Sequence, residues 1–214
     1  MKKSTNRHTI ASYMQRPVER RELLPLVLIV CEGERTEPNY FEALKADLRV
    51  SVNVEVIGLG QNTDSLVERT IELSQEDSYS AVWCVFDRDS FPAGRFNRAI
   101  ELAESNGIKV AYSNECFELW YLLHFEYLTS ACSRHDYPGK LTRYLSRKYD
   151  KRDRLMYRDT RPQLETAIRN SKRLLTIHNT TDVGQHNPST TVHLLVEALQ
   201  TYHDDRERAR TEHR

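Results

Sequence analysis

The 214-residue sequence predicts an α/β protein with a mostly parallel sheet, followed by a helical C-terminal portion. Three observations carry this. Leu26–Cys31 and Ala81–Phe86 are continuous apolar runs with β-branched residues, the pattern of strands covered on both faces. Helical windows separate the strands at the spacing of βαβ units. From Asn114 onward helical windows follow one another.

Taken in order, residues 1–22 are polar without sustained periodicity and read as a flexible arm or a short leading element. The first apolar run lies between Pro25 and Glu32. Thr36, Glu37 and Pro38 form a helix start with Pro in the first turn, and the helix is expected to run from Asn39 to Leu48. Val52, Val54 and Val56 alternate with polar residues, as in a less buried strand. After a loop over Gly58–Asp64, Ser65 and Glu68 fit a capping box that opens a helix to Glu76. The Ala81–Phe86 strand ends at Asp87. A helix from Arg95 stops at Asn106–Gly107, a left-handed termination, and Ile108–Tyr112 is the fourth strand. Helices are expected over 114–125, 139–149, 161–178 and 189–203. The expected organisation is a basic N-terminal arm (1–24), an α/β catalytic core (25–126), a basic helical portion packed on that core (127–204) and a charged tail (205–214).

Lys plus Arg equals Asp plus Glu at 31 each, so only the distribution of charge speaks to partners. Residues 1–25 hold six basic and two acidic side chains, and residues 134–173 hold thirteen and five. The rest of the chain is acidic apart from a balanced tail. An acidic body with a basic arm and a basic helical region suggests an anionic partner, unless the basic residues coat solvated helices. The four cysteines form no C-x-x-C pair, so zinc and redox motifs are unsupported. With no leading apolar segment and no apolar run near the ~20 residues of a membrane span, the expectation is a cytoplasmic protein with reduced thiols and no membrane partner. A Walker A sequence is missing, and Gly58-Leu59-Gly60 lacks the third glycine of a dinucleotide fingerprint.

The stretch "VLIVCEGERTEPNY", residues 27–40, runs from a strand directly into Glu32, Glu34 and Glu37. "WCVFDRDSF" places Asp87 and Asp89 at another strand end. In an open α/β sheet, ligands bind outside the carboxyl ends of the strands. Residues two apart on an extended chain face the same way, so Asp87 and Asp89 aim at one point while Arg88 turns elsewhere. If the two strands are neighbours, Glu32 joins them. Such anions gather cheaply only around a cation, and Mg²⁺ or Mn²⁺ suits carboxylates, water and substrate phosphate. Capping of the following helices is the alternative use of these acids. In "SNECFELWYLLHF", residues 113–125, Glu118 lies on a helix that should be buried. A buried carboxylate needs a partner: a metal, a metal-bound water or an Arg. His124 on the same helix reads as a core histidine.

Residues 140–161 alternate Arg and Lys with Tyr144, Tyr149 and Tyr157, so they either contact phosphates and bases or form a solvated face anchored by tyrosines. Arg143, Arg147 and Lys148 are the candidates for substrate-backbone contact. In "HNPSTTVHLL" Ser189 or Thr190 is expected to cap the last helix.

Together, "LIVCEGERTEPNYFEAL", "WCVFDRD", "SNECFELWYLLHF" and "NPSTTV" resemble the RloB-like family in order and approximate spacing, from about residue 25 to 200. RloB-like proteins resemble TOPRIM-type enzymes, the fold shared by topoisomerases, primase-like proteins and OLD-family nucleases. The resemblance implies a TOPRIM-like, Rossmann-type core over 25–126 and a role in abortive infection and phage defence. Carried over, the TOPRIM glutamate falls on Glu32 and its acidic pair on Asp87 and Asp89. Further acids of OLD-type nucleases fall on Glu37 and Glu118, although Glu34 is also available and the TOPRIM pattern does not fix Glu118. The implied activity is Mg²⁺- or Mn²⁺-dependent hydrolysis of phosphodiester bonds in RNA, tRNA among them, or DNA. Glu32, Asp87 and Asp89 would be metal ligands. Glu37 or Glu118 would complete the site, and Arg35 and Arg88 would stabilise the phosphate. A nearby-encoded defence ATPase is an expected partner, with a homodimer left open. The alternative function is a non-enzymatic binding module that works with such an ATPase.

Overall fold

Val, Ile and Leu crowd the two central strands because helices cover both of their faces. The computed structural model describes residues 24–48, 53–60, 62–89, 92–178 and 180–212. Residues 1–23 of the expected basic arm, and Val52 of the expected second strand, lie outside the described residues. β1 (Leu26–Cys31), α1 (Thr36–Leu48), β2 (Asn53–Gly58), α2 (Thr63–Leu73), β3 (Ala81–Asp87), α3 (Ala93–Ser105) and β4 (Lys109–Asn114) alternate along the chain. α4 (Glu118–Leu123), α5 (Tyr137–Tyr144), α6 (Met156–Thr160), α7 (Leu164–Thr176), the two-residue β5 (Ser189–Thr190) and α8 (Val192–Glu212) follow. The sheet order is β2-β1-β3-β4-β5, with only β5 antiparallel.

The period-2 alternation of strands divides the core in two. Val27, Ile29 and Cys31 of β1 and Trp83 and Val85 of β3 face a large cluster with residues of α1 and α4–α8. Leu28, Val30, Cys84 and Phe86 face a smaller cluster with α2 and α3. The helical C-terminal region therefore shares one continuous core with the sheet. All four cysteines are free and buried.

The chain leaves β1 toward β2 on one side and returns to β3 on the other. That reversal opens a crevice between the carboxyl ends of β1 and β3, where an open α/β sheet binds its ligands.

Several local expectations change. α2 is capped not by Ser65 but by Asn62, whose side chain accepts a bond from the Ser65 N–H. The expected helix 114–125 shrinks to Glu118–Leu123, because β4 runs two residues past Tyr112 to reach β5. Ser189 and Thr190 form that strand, and α8 starts later, at Val192. Thr190 Oγ1 still accepts from the Val192 N–H at 3.3 Å. α8 also absorbs the expected charged tail as far as Glu212. The expected stop after α3 is present, with Gly107 at φ +74°.

Candidate functional site

Glu32 is the first residue beyond β1, and its N–H continues the ladder by donating to the Val85 carbonyl at 2.9 Å. Both of its carboxylate oxygens are engaged. Oε2 accepts the Asp87 N–H at 3.0 Å, and Oε1 accepts the Thr63 hydroxyl at 3.2 Å. Glu32 thus ties the ends of two neighbouring strands to the start of α2. Burial pushes its carboxyl up, while these two hydrogen bonds hold it back.

Asp87 continues the alternation of Trp83 and Val85, so it belongs to the sheet face covered by α1 and α4. Glu37 in the first turn of α1 and Glu118, the first residue of α4, are buried on that side, at 5% and 2% exposure. The three carboxylates and Glu32 act on one another. Burial pushes Glu37 up to about 7, aided by the charges of Glu118 and Glu32. Asp87 is pushed well up by burial and then by Glu37, Glu118 and Glu32. Gly33 permits this crowding, because a Cβ there would strike the Glu37 carboxylate. A Cβ on Gly58 would lie 2.6 Å from the Gly33 carbonyl, so the glycine at the end of β2 lets the β1–α1 turn pass close by.

Asp89 reaches the same cleft by a different route from the one expected. Its backbone is left-handed, φ +46°, so a turn rather than an extended chain aims it. A non-glycine residue there is uncommon and marks local strain of the kind found at functional sites. Asp89 forms an ion pair with Arg134. Arg88 turns away, as the alternation implied, and does not line the cleft, so the phosphate contact expected of Arg88 has no support in this arrangement. Its Nη1 donates to the Asp89 carbonyl at 3.3 Å.

The cleft has a volume of about 430 Å³. Glu32, Glu34, Glu37, Asp87, Asp89 and Glu118 supply its acids, and Arg35, Arg134, Lys151 and Arg152 its cations. Sequence reasoning missed Arg134, Lys151, Arg152 and Thr63, and it singled out Tyr149 without its contact to Glu118. Lys151 and Arg152 lay inside the basic stretch it singled out, but nothing in their spacing set them above their neighbours. Tyr149 donates to Glu118 Oε1 at 3.0 Å, and Lys151 Nζ lies 3.4 Å from the same oxygen. Of the partners expected for Glu118, a metal, a metal-bound water or an Arg, the Arg is not the one found: a tyrosine hydroxyl and a half-exposed lysine take that place.

Arg143, Arg147 and Lys148 do not line the cleft. Arg147 is committed to Asp153 and Asp159 and braces the α5–α6 connection. Tyr149 and Tyr157 are buried anchors, Tyr157 donating to Asp47 at 2.8 Å, and exposed Tyr144 is already stacked on Phe125. Tyr149 and Tyr157 therefore offer no ring to a base in this arrangement, and Phe125 already covers one face of Tyr144. His124 is a core residue, its Nδ1 2.9 Å from the Trp120 carbonyl and its pKa lowered by burial to about 4.

The donors available to a cation are carboxylate oxygens, chiefly those of Glu32, Asp87 and Asp89. Among the described residues no three His, Cys, Asp or Glu side chains form a ready-made ligand set. Internal partners engage Asp89, Glu118 and Glu32: Arg134 on the first, Tyr149 and Lys151 on the second, Thr63 and the Asp87 N–H on the third.

An acid-lined crevice at the topological switch point of a Rossmann-type sheet, fronted by cations from a helical appendage, defines the class of this protein. Within that class, the family model described as RloB-like protein matches residues 27–199, and the chain belongs to the RloB-like family. No curated protein and no solved structure gives a significant match. No helix among the described residues is long and apolar enough to cross a membrane.

Proposed function

We propose that this RloB-like chain is a metal-dependent nuclease that hydrolyses phosphodiester bonds in RNA or DNA, as a toxic effector in bacterial phage defence. The observation that carries the reading is the crowding of five carboxylates, Glu32, Glu37, Asp87, Asp89 and Glu118, around one cleft at the β1–β3 switch point. Burial, and then the charges of the neighbouring acids, push Glu37 and Asp87 above the ordinary carboxylate range. A hard divalent cation with oxygen ligands offsets that repulsion, so the donor chemistry fits Mg²⁺ or Mn²⁺.

Glu32, Asp87 and Asp89 would hold the ion. When bound, it supplies Lewis-acid polarisation of a phosphoryl oxygen and lowers the pKa of water. Glu37, buried beside these acids in the first turn of α1, is suited to accept a proton from an attacking water. Arg35 and Arg152, exposed at the mouth, would bind the flanking phosphates. The cleft suits a strand that presents one phosphodiester at a time, and both RNA and DNA meet that requirement.

The test is controlled expression followed by sequencing of cleaved nucleic acids, beside an Mn²⁺-dependent cleavage assay on purified protein. The wild type should cut and protect cells from phage, and Asp87→Asn should do neither. Full activity in Asp87→Asn would remove the assignment. The internal pairs Arg134–Asp89 and Lys151–Glu118 favour a second reading, a non-enzymatic effector working with a defence ATPase. Protection from phage that survives Asp87→Asn, with no cleavage by either protein, would select it.

A further inference from the structure

We propose that the α5–α6 connection is a strap over the acidic cleft with two opposed functions. Tyr149 is a positioning residue that holds Glu118 in place. Lys151 is a resident counter-cation that a divalent ion must displace from Glu118. The inference rests on the metal-dependent reading above.

The strap is built to present these two side chains. Arg147 closes its base through Asp153 and Asp159, with Nε 2.8 Å from Asp153 Oδ2. The Tyr149 N–H donates to Thr142 Oγ1 at 3.0 Å, and the Arg152 N–H to Asp150 Oδ1 at 2.8 Å. The far side is tied across the cleft, where the Thr36 hydroxyl donates to the Lys151 carbonyl at 3.4 Å. Tyr149 and Lys151 thus converge on one oxygen, Glu118 Oε1.

Their burial differs, and that separates their roles. Tyr149 is 5% exposed, so its hydroxyl has no other place to go. The Lys151 side chain is 53% exposed and can release its ammonium to water at little cost. Glu118 cannot follow it. In the absence of another cation, Lys151 offsets a buried carboxylate that also faces Glu37 and Asp87. A divalent ion brought among these acids repels the ammonium and takes over its role. Metal and Lys151 therefore compete for Glu118, whereas metal and Tyr149 cooperate.

Two substitutions on the same strap should then move metal affinity in opposite directions. Mn²⁺ binding to the full chain, measured by electron paramagnetic resonance titration, should tighten about 10-fold in Lys151→Met as a like charge is removed. It should weaken about 10-fold in Tyr149→Phe, the range expected for losing a hydrogen bond to a charged group. The Lys151→Met gain should shrink as salt rises. In EDTA, Lys151→Met should melt below the wild type, because Glu118 loses its counter-ion. Shifts of the same sign in both variants would overturn the proposal, as a merely structural strap behaves that way. An unchanged affinity in Lys151→Met, with Asp87→Asn abolishing Mn²⁺ binding, would overturn the competition and leave the metal site standing. Wild-type protein that binds no Mn²⁺ would overturn the metal reading and this inference with it.

Discussion

On the sheet side of the cleft, Glu32 is held by backbone: its own N–H on Val85 and the Asp87 N–H on its carboxylate. On the strap side, Lys151 and Arg152 are exposed side chains on a connection braced by ion pairs. The first wall carries half-buried acids, and the positions of Glu32 and Asp87 follow from strand register. The second carries exposed cations whose positions follow from the packing of distant residues. Under the proposed function, the sheet side would hold the cation and the strap would meet the anionic substrate. The electrostatic stress lies where β3, α1 and α4 meet and crowd Asp87, Glu37 and Glu118 together.

That contrast can be broken by changes on each wall. The largest effect is expected on the sheet side, where Asp87→Asn should lower Mn²⁺-dependent cleavage by about 10²–10³-fold or more, the scale of losing a preorganised charge at the reacting centre. Circular dichroism should show an unchanged fold. Next is the pH response. Glu37 titrates near 7 in the folded chain against an ordinary value of 4.5, so the native state holds a proton that the unfolded state releases. Its contribution is full below pH 4.5 and is lost as pH rises through 7, about 3 kcal/mol in all. Thermal melts in EDTA should show stability falling across that window. Glu37→Gln should flatten the fall and melt higher than the wild type at pH 8.

Strap-side changes should be smaller. Arg147→Ala removes a cation shared by the half-buried Asp153 and Asp159 and should cost about 1–2 kcal/mol by denaturant unfolding, between exposed and buried pairs. Arg35→Ala with Arg152→Ala should leave stability unchanged, weaken nucleic-acid binding about 10-fold and lower the salt slope by about 2. An unchanged slope would assign both residues to solvent. The smallest effect is expected for the stability of Glu118→Gln. Lys151 is half-exposed, so no buried cation is stranded, and the melting point should move by less than about 1 kcal/mol in free-energy terms. A loss of 3 kcal/mol or more would mean that the walls are coupled far more tightly than their exposure implies.

The division between strand ends and connections also marks what was legible in the primary structure. Leu26–Cys31 and Ala81–Phe86 announce buried parallel strands because apolar runs of that length suit a sheet covered on both faces. Glu32 and Asp87 follow directly from them, since a residue just past a strand inherits its position from the ladder. Glu37 was visible as one of three carboxylates that follow the first strand, and Glu118 as a charge on an apolar helix. Asp89 was found for an incomplete reason, because its approach depends on a left-handed turn that alternation does not encode. Thr63, Arg134, Lys151 and Arg152 left no local signal, and Tyr149 was visible as a candidate anchor but not as a partner of Glu118. Arg134 meets Asp89 across 45 residues, and Lys151 meets Glu118 across 33, through loops whose paths are set by the packing of α4, α5 and α6. Short-range periodicity therefore determined the sheet, the switch point and the acids at its edge, because backbone hydrogen bonding carries that information along the chain. Which cations face those acids was decided only by tertiary structure, because a flexible basic side chain takes its partner from the space around it and not from its place in the sequence.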